Sequence, residues 1–225
     1  RAVMKELSRL GAVAYDIRQL FPGRVLLSGN GDDVGWRALS DDEQLRLAKA
    51  IRSDLANLHH GRIKLNPSEA MANRYLIVAM RTGANPTPLL EMTRDALRPG
   101  LVPGTMRLRT VKYRGQKIHE RAIARGSRRE QPTLIPTDAV AVLERTLAET
   151  EALLQDAPMP VRNRIWLYRS MRSQEYGQVV CLSRQSLAIA IAKLVQRHDL
   201  RGDDGSSLKV NASRLRKSYA KRSFR

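Results

Sequence analysis

Start and stop signals for α-helices constrain the fold of this sequence more than any other feature. Residues 40–43 read Ser-Asp-Asp-Glu, a capping box that starts a helix predicted to run to about Leu58 and to stop at Gly61. Residues 66–69 read Asn-Pro-Ser-Glu and start a second helix, with proline at its first helical position, which Gly83 closes. This part of the chain is therefore predicted to be helical.

A β-hairpin is predicted further along the chain. Residues 107–113 and 116–124 have the alternation of paired strands, and Arg114-Gly115 supplies the turn. Four more helices are predicted from caps and apolar spacing: residues 87–92, a long helix capped at 137–138 that ends near 155 before the prolines at 158 and 160, residues 184–198 capped by Ser183, and a last helix entered after Asn211. The predicted fold class is mainly α with a small antiparallel β-sheet (α+β).

Residues 1–36 are predicted to be separate from the domain that follows. Apolar residues at helical spacing predict a helix over residues 1–21, which a Pro-Gly pair ends. The small polar stretch 28–35 has neither the strand-to-helix pattern nor the Gly-Lys-Ser/Thr ending of a phosphate-binding loop, so we interpret it as a linker. The predicted second domain is 37–225.

The balance of charge predicts a polyanionic partner. Forty Lys and Arg residues against twenty-two Asp and Glu leave a formal net charge of +18, and the basic residues are clustered in the second half of the chain. Lys and Arg neutralise phosphates and release condensed counterions, which gives affinity for nucleic acid independent of sequence. The alternative is a basic surface that serves only solubility.

Other kinds of site find little support. The longest apolar stretch, 75–80, is far shorter than the roughly twenty residues that a membrane span requires. Cys181 is the only cysteine and forms neither an internal disulfide nor a zinc cluster, so a reducing, cytoplasmic setting is predicted. The four histidines lack acidic or cysteine partners at metal-ligand spacing, and Ser183 is interpreted as a helix cap rather than a nucleophile. No metal and no cofactor are predicted.

Residues 76–95 combine an apolar helix, a Thr-Gly pair at 82–83, Asn85 and a Leu-Leu pair at 89–90. This pattern resembles the first conserved block of the tyrosine recombinases, also called phage integrases. Asn85 occupies the position of the family's first catalytic arginine, which binds the scissile phosphate. An asparagine donates a hydrogen bond but brings no charge.

The resemblance predicts that an active protein replaces this missing charge locally. Arg81 lies one helical turn before Asn85, and Arg94 lies just after the short helix. Arg81 is preferred because residues four apart on a helix share a face, although the turn at Gly83 interrupts that relation.

Two further segments match the family in the same order along the chain. The hairpin is similar to the family's hairpin, whose lysine protonates the leaving deoxyribose oxygen; Lys112 is predicted to take that role, with Lys117 as the second choice. Residues 213–220 read Ser-Arg-Leu-Arg-Lys-Ser-Tyr-Ala and resemble the family's His-x-Leu-Arg-His-Thr-Phe-Ala segment. The remaining predicted catalytic residues follow from this match: Arg216 at the second catalytic arginine, Ser213 in place of the first histidine, and Lys217 in place of the second.

The resemblance implies a tyrosine-recombinase catalytic-domain-like fold and DNA strand exchange through a 3′-phosphotyrosyl intermediate, without metal or nucleotide. Arg216 would stabilise the pentacoordinate phosphate, with Lys112 as the general acid. The family's nucleophilic tyrosine lies beyond its last arginine block, and this sequence ends first. Residues 37–225 are therefore expected to be a C-terminally incomplete catalytic domain, and 1–36 the end of a preceding DNA-binding domain or a linker. Tyr219 matches the family's core aromatic position and is not nominated.

Double-stranded DNA is the partner that the resemblance implies, together with self-association or related recombinase subunits on the DNA of a bacterial or phage-type nucleoid. The predicted DNA-contacting residues are basic side chains of the hairpin and the last helix: Arg107, Arg109, Arg114, Lys117, Arg214, Lys221 and Arg222. Two alternatives stay open. One is a non-catalytic DNA-binding paralogue of the same fold, favoured by Asn85 and Ser213; the other is an unrelated helical regulator that binds nucleic acid.

Overall fold

A computed structural model of the chain describes residues 37–112, 117–124 and 138–223. The helix predicted over 1–21, the linker predicted at 28–35 and the turn residue Arg114 lie outside these ranges. No helix of the described part is long and apolar enough to cross a membrane.

The described part of the chain contains seven α-helices, five strands and three short 3-10 helices. The helices are α1 Asp41–His59, α2 Pro67–Thr82, α3 Pro86–Leu90, α4 Ala139–Thr150, α5 Met159–Arg162, α6 Arg184–Arg197 and α7 Ala212–Ser223. The strands are β1 Leu97–Pro99, β2 Thr105–Lys112, β3 Lys117–Ala124, β4 Leu167–Arg169 and β5 Val179–Cys181. The predicted fold class, mainly helical with small antiparallel sheets, is confirmed.

The helix caps form as the sequence predicts. Ser40 Oγ accepts a hydrogen bond from the Glu43 amide at 3.1 Å, and Glu43 Oε2 accepts one from the Ser40 amide at 3.0 Å, which completes the capping box of α1. Asn66 caps α2 at one end, and Gly83 ends it in the left-handed region at φ 58°. Ser183 caps α6, as predicted for it.

The short helix predicted over residues 87–92 runs instead over Pro86–Leu90, and two further helix boundaries differ from the prediction. The long helix α4 ends at Thr150 and passes into a 3-10 turn rather than continuing to about residue 155. The prolines at 158 and 160 do not simply terminate a helix, because α5 begins at Met159 with proline in its first turn. Proline is tolerated there since the amide that it lacks would be unpaired in any first turn.

The predicted hairpin is confirmed, and a third strand joins it. Strands β2 and β3 pair antiparallel over their whole length, from Thr105 opposite Ala124 to Lys112 opposite Lys117. The three-residue strand β1 pairs antiparallel with the other edge of β2. A separate two-stranded sheet joins β4 and β5. Sequence analysis missed β1, β4 and β5 because three residues are too few to show a period of two.

Helix α2 lies at the centre of the core and contacts α1, α4, α6 and α7. Its Tyr75 side chain is buried against Trp166, with the two rings edge to face at 5.7 Å between centroids. Trp166 Nε1 donates to the Leu89 carbonyl oxygen at 2.6 Å, which ties the start of β4 to α3. Trp166 is thus a core residue, as predicted. These contacts fix the turn between α2 and α3, which carries Asn85.

Candidate functional site

A pocket of about 190 Å³ lies where the α2–α3 turn, the β2–β3 hairpin and α7 meet. The turn contributes residues 82–85, and α7 contributes Arg216. The pocket therefore brings together all three sequence segments that resemble recombinase blocks: the α2–α3 turn, the hairpin and α7. Its lining residues are Thr82, Gly83, Ala84, Asn85, Pro88, Leu108, Thr110, His119, Glu120, Arg121 and Arg216.

The hairpin presents one of its two faces to this pocket. Leu108 is paired with Arg121, and Thr110 with His119, so these four side chains project from the same face. Leu108 is buried, whereas His119 and Arg121 are exposed. The strand alternation thus places the buried apolar side chain of Leu108 and the exposed cationic side chain of Arg121 next to each other on this face.

Gly83 allows α7 to approach the turn closely. Its φ of 58° is one that L side chains rarely adopt, and a Cβ at this position would overlap the ring of Tyr219. Tyr219 lies on α7, three residues after Arg216. The close packing of this ring against Gly83 sets the distance between α7 and the turn that carries Asn85.

Asn85 and Arg216 are joined directly. Arg216 Nη1 donates a hydrogen bond to Asn85 Oδ1, while Asn85 makes no side-chain cap to α3. The asparagine therefore accepts from the second arginine of the site, and its amide nitrogen remains a donor on the same side chain. Arg216 is exposed, which leaves its guanidinium accessible to an anion.

Arg121 is a second cationic group of the pocket, and sequence analysis missed it. One of its guanidinium nitrogens donates to the Thr82 carbonyl oxygen, and its guanidinium carbon lies 5.5 Å from the centroid of the Tyr219 ring. The pairing of Arg121 with the buried Leu108 across the hairpin could have identified it. That pairing follows only from the strand register. The sequence pattern instead predicted Lys112 and Lys117, at the end of the hairpin.

The position of Arg214 corrects the prediction that this residue contacts DNA. Its side chain is only 4% exposed and donates to Glu43 Oε2 at 2.8 Å and to the Arg37 carbonyl oxygen at 2.9 Å. Its backbone amide donates to Asn211 Oδ1, which caps α7. A guanidinium buried in this way against a carboxylate has no face left for a phosphate, so Arg214 holds the fold together.

The two arginines proposed to replace the missing charge lie elsewhere. Arg81 lines a different pocket, of about 340 Å³, between α1 and α2. Arg94 donates to Thr150 Oγ1 at 2.7 Å and to Glu151 Oε2 at 2.6 Å, so it binds the end of α4. Neither side chain lines the pocket that contains Asn85.

The other predicted hairpin residues lie apart from this pocket. Arg107 and Arg109 project from the opposite face of β2, where Arg107 pairs with Glu120 at 3.4 Å. Arg109 lines a third pocket, of about 240 Å³. Lys112 and Lys117 occupy paired positions at the end of the hairpin, and their side chains lie outside the described part of the structure.

On α7, Ser213 and Lys221 are exposed and Lys217 is partly buried. None of the three lines the pocket. The side chain of Arg222 lies outside the described part, as does Arg114 of the hairpin turn. Ser213, Lys217 and Lys221 therefore remain predictions as DNA or phosphate contacts.

No tyrosine among the described residues lines the pocket. Tyr75 and Tyr168 are buried in the core, and burial raises the pKa of the Tyr75 hydroxyl well above its usual range. Tyr219 packs its ring between Gly83 and Arg121. Tyr176 is exposed in the turn before β5. None of these four is placed to attack a phosphate held by Arg216.

The described residues contain no group of three or more histidine, cysteine or acidic side chains that could hold a metal ion. His198, one of the histidines considered, pairs instead with a buried carboxylate, with Nε2 at 2.7 Å from Asp54 Oδ1. Cys181 is partly buried, and its burial raises the pKa of its thiol to about 11.

Comparisons with known proteins connect this geometry to a fold. No protein-family model matches the chain, and no curated protein matches it significantly. Two solved complexes do match: XerH site-specific recombinase bound to difH substrate before cleavage, at 14% identity and a TM-score of 0.52, and XerH bound to palindromic difH substrate after cleavage, at 15% and 0.53. They cover 84% and 86% of this chain.

This chain spans less than half the length of those recombinases, 43% and 44%. At such low identity, the similarity to these structures is evidence for the fold alone. Together with the helix, hairpin and helix order described above, it shows that this chain has an α+β fold like that of a recombinase catalytic domain.

Proposed function

We propose that this chain binds duplex DNA, and that the pocket between the α2–α3 turn, the hairpin and α7 receives a backbone phosphate. The observation that carries the proposal is the convergence of two exposed arginines, Arg121 and Arg216, from different elements on one pocket. The net charge of +18 and the likeness to the fold of DNA-bound recombinases support the same partner.

The chemistry of the lining suits a phosphodiester. Each guanidinium has five N–H donors in a planar fork that matches the geometry of phosphate oxygens. Asn85 adds neutral donors beside Arg216. The one acidic residue of the lining, Glu120, projects with Arg107 from the other face of the hairpin and pairs with it there, so the balance of charge in the pocket stays positive.

Strand exchange through a phosphotyrosyl intermediate is the finer form of this proposal. In that reaction Arg216 would stabilise the developing charge on the pentacoordinate phosphate, and Lys112 would protonate the leaving oxygen. The tyrosine would have to come from outside the described residues. Asn85 at the position of the family's first arginine favours the second candidate, a DNA-binding module that does not cleave.

A salt titration tests DNA binding. We expect the 225-residue chain to bind a fluorescently labelled duplex, with log Kd rising linearly with log salt concentration, because each neutralised phosphate releases condensed counterions. A loss of about a thousandfold in affinity between about 50 and 200 mM salt would correspond to about six phosphate contacts. Absence of binding at low salt, or binding indifferent to salt, would contradict the proposal.

A suicide duplex distinguishes the two forms of the proposal. Such a duplex carries a nick that traps any covalent protein–DNA intermediate. We expect the 225-residue chain to give no covalent adduct on a denaturing gel, because none of the four tyrosines in the described part lines the pocket. A shifted band that maps to one of the chain's tyrosines would show that it cleaves DNA by itself.

A further inference from the structure

We infer that Arg121 supplies the cationic group that the α2–α3 turn lacks at Asn85. This inference rests on the proposed binding of a phosphate in the pocket. It replaces the expectation that Arg81 has this role, because Arg81 lines the separate pocket between α1 and α2.

The first support is the position of Arg121 against the turn. Its guanidinium donates to the carbonyl oxygen of Thr82, three residues before Asn85. The positive charge of Arg121 therefore reaches the α2–α3 turn from strand β3. In the recombinase family, the first catalytic arginine brings its charge from this same turn. The strand register supports this placement, since Arg121 lies opposite the buried Leu108 on the face that lines the pocket.

The second support is the way in which the guanidinium is held. The ring of Tyr219 lies under it at 5.5 Å from the ring centroid, which is a cation–π distance. The Thr82 carbonyl and the Tyr219 ring fix the orientation of the plane but use only one of its hydrogen-bonding edges. The remaining N–H groups are available to an anion because Arg121 is exposed.

The third support is the contact that Asn85 makes instead. Its Oδ1 accepts a hydrogen bond from Arg216, so the neutral side chain orients the one arginine that the sequence resemblance retains. With asparagine there, Arg216 and Arg121 bring positive charge to the pocket from two different elements, α7 and β3.

Relocating the charge tests this inference. We compare the binding of a labelled duplex by the wild-type chain, Arg121→Gln, Asn85→Arg/Arg121→Gln, and the matched control Arg145→Gln. Arg145 is an arginine of α4 that pairs with Glu149 and lines none of the three pockets described above. Circular dichroism and thermal unfolding establish that each variant is folded.

Arg121→Gln should weaken binding about tenfold and lower the slope of log Kd against log salt by about 0.9, the loss of one phosphate contact. Asn85→Arg/Arg121→Gln should recover most of this loss, because the charge returns to the turn from its other side. Arg145→Gln should leave the affinity within about twofold of wild type.

Arg121 also holds the Thr82 carbonyl, so Arg121→Gln could weaken the fold; Arg121→Lys provides a second variant that keeps the charge. It should retain the wild-type salt slope while losing part of the affinity, since an ammonium lacks the planar fork. The inference is overturned if folded Arg121→Gln binds like Arg145→Gln, if the double variant binds no better than Arg121→Gln, or if Arg121→Lys loses the slope as Arg121→Gln does. Failure of the wild-type chain to bind DNA would overturn the proposed function instead.

Discussion

Arg214 and Arg216 stand two residues apart on α7 and have opposite environments. Arg214 is buried against Glu43, whereas Arg216 is exposed in the pocket and bonded to Asn85. Two residues apart on a helix means about 200° of rotation, so such side chains face opposite sides. A basic segment therefore contains both structural and ligand-facing arginines, and charge alone does not separate them.

The side of α7 that carries the buried Arg214 is held in place by Glu43. This residue is only 1% exposed and belongs to the capping box of α1. Its carboxylate accepts hydrogen bonds from Arg214, from Arg37 at 3.0 Å and from the Asp203 amide at 3.3 Å. It thereby joins the start of α1, the loop before α7 and α7 itself. A buried carboxylate that loses one of its cations is left with uncompensated charge.

The largest effect is expected from Arg214→Gln. The substitution should lower the free energy of unfolding by about 3 kcal/mol, because Glu43 remains buried with only the more exposed Arg37 as a cation. Urea unfolding followed by circular dichroism measures this change. An unfolding curve that superposes on that of the wild type would mean that Arg214 does not hold the fold together.

Gly83→Ala should destabilise the protein by about 2 kcal/mol, because the added Cβ would overlap the Tyr219 ring and because φ there is unfavourable for alanine. It should also weaken DNA binding, since the displaced Tyr219 lies on the same helix as Arg216. Gly61→Ala is the matched control: its φ of 65° is similar, but nothing lies within 4 Å of the new Cβ. Equal costs for the two alanine variants would contradict the close packing of α7 on the turn.

Arg216→Gln is expected to separate binding from stability. The affinity for duplex DNA should fall about tenfold, while the free energy of unfolding should stay within about 0.5 kcal/mol of wild type because the side chain is exposed. Fluorescence anisotropy and urea unfolding provide the two values. A large loss of stability would place Arg216 with Arg214 among the structural residues.

The smallest effect is expected from Lys221→Gln. Lys221 is exposed near the end of α7 and lines no pocket described above, so its loss removes at most one flexible contact among many. Affinity should fall about twofold in an anisotropy titration at low salt. A loss as large as that of Arg216→Gln would move the main phosphate contact of α7 toward its C-terminal end.

The sequence predicted those features that depend on nearby residues. The caps at Ser40, Asn66 and Ser183 follow from hydrogen bonds within three residues, and the hairpin follows from its alternation. Asn85 and Arg216 were identified by the resemblance of two short blocks to recombinase motifs, and the structure brings them together.

Features that depend on distant residues were missed. Glu43, the partner of Arg214, lies 171 residues earlier in the chain, and no local pattern predicts that pairing. Identifying Arg121 as a residue of the pocket required the register of the hairpin, because neighbouring basic residues on β2 and β3 project from opposite faces. Sequence patterns thus identified the segments of the site but not every side chain that enters it.

The salt dependence of DNA binding by Arg214→Gln and Arg216→Gln, compared at a temperature at which both variants are folded, tests the central claim most directly. If Arg216 contacts a phosphate and Arg214 holds the fold, the slope of log Kd against log salt should fall by about 0.9 for Arg216→Gln and should equal that of the wild type for Arg214→Gln. An unchanged slope for Arg216→Gln, or an equal loss of slope for both variants, would contradict the division of α7 into a structural and a DNA-binding face.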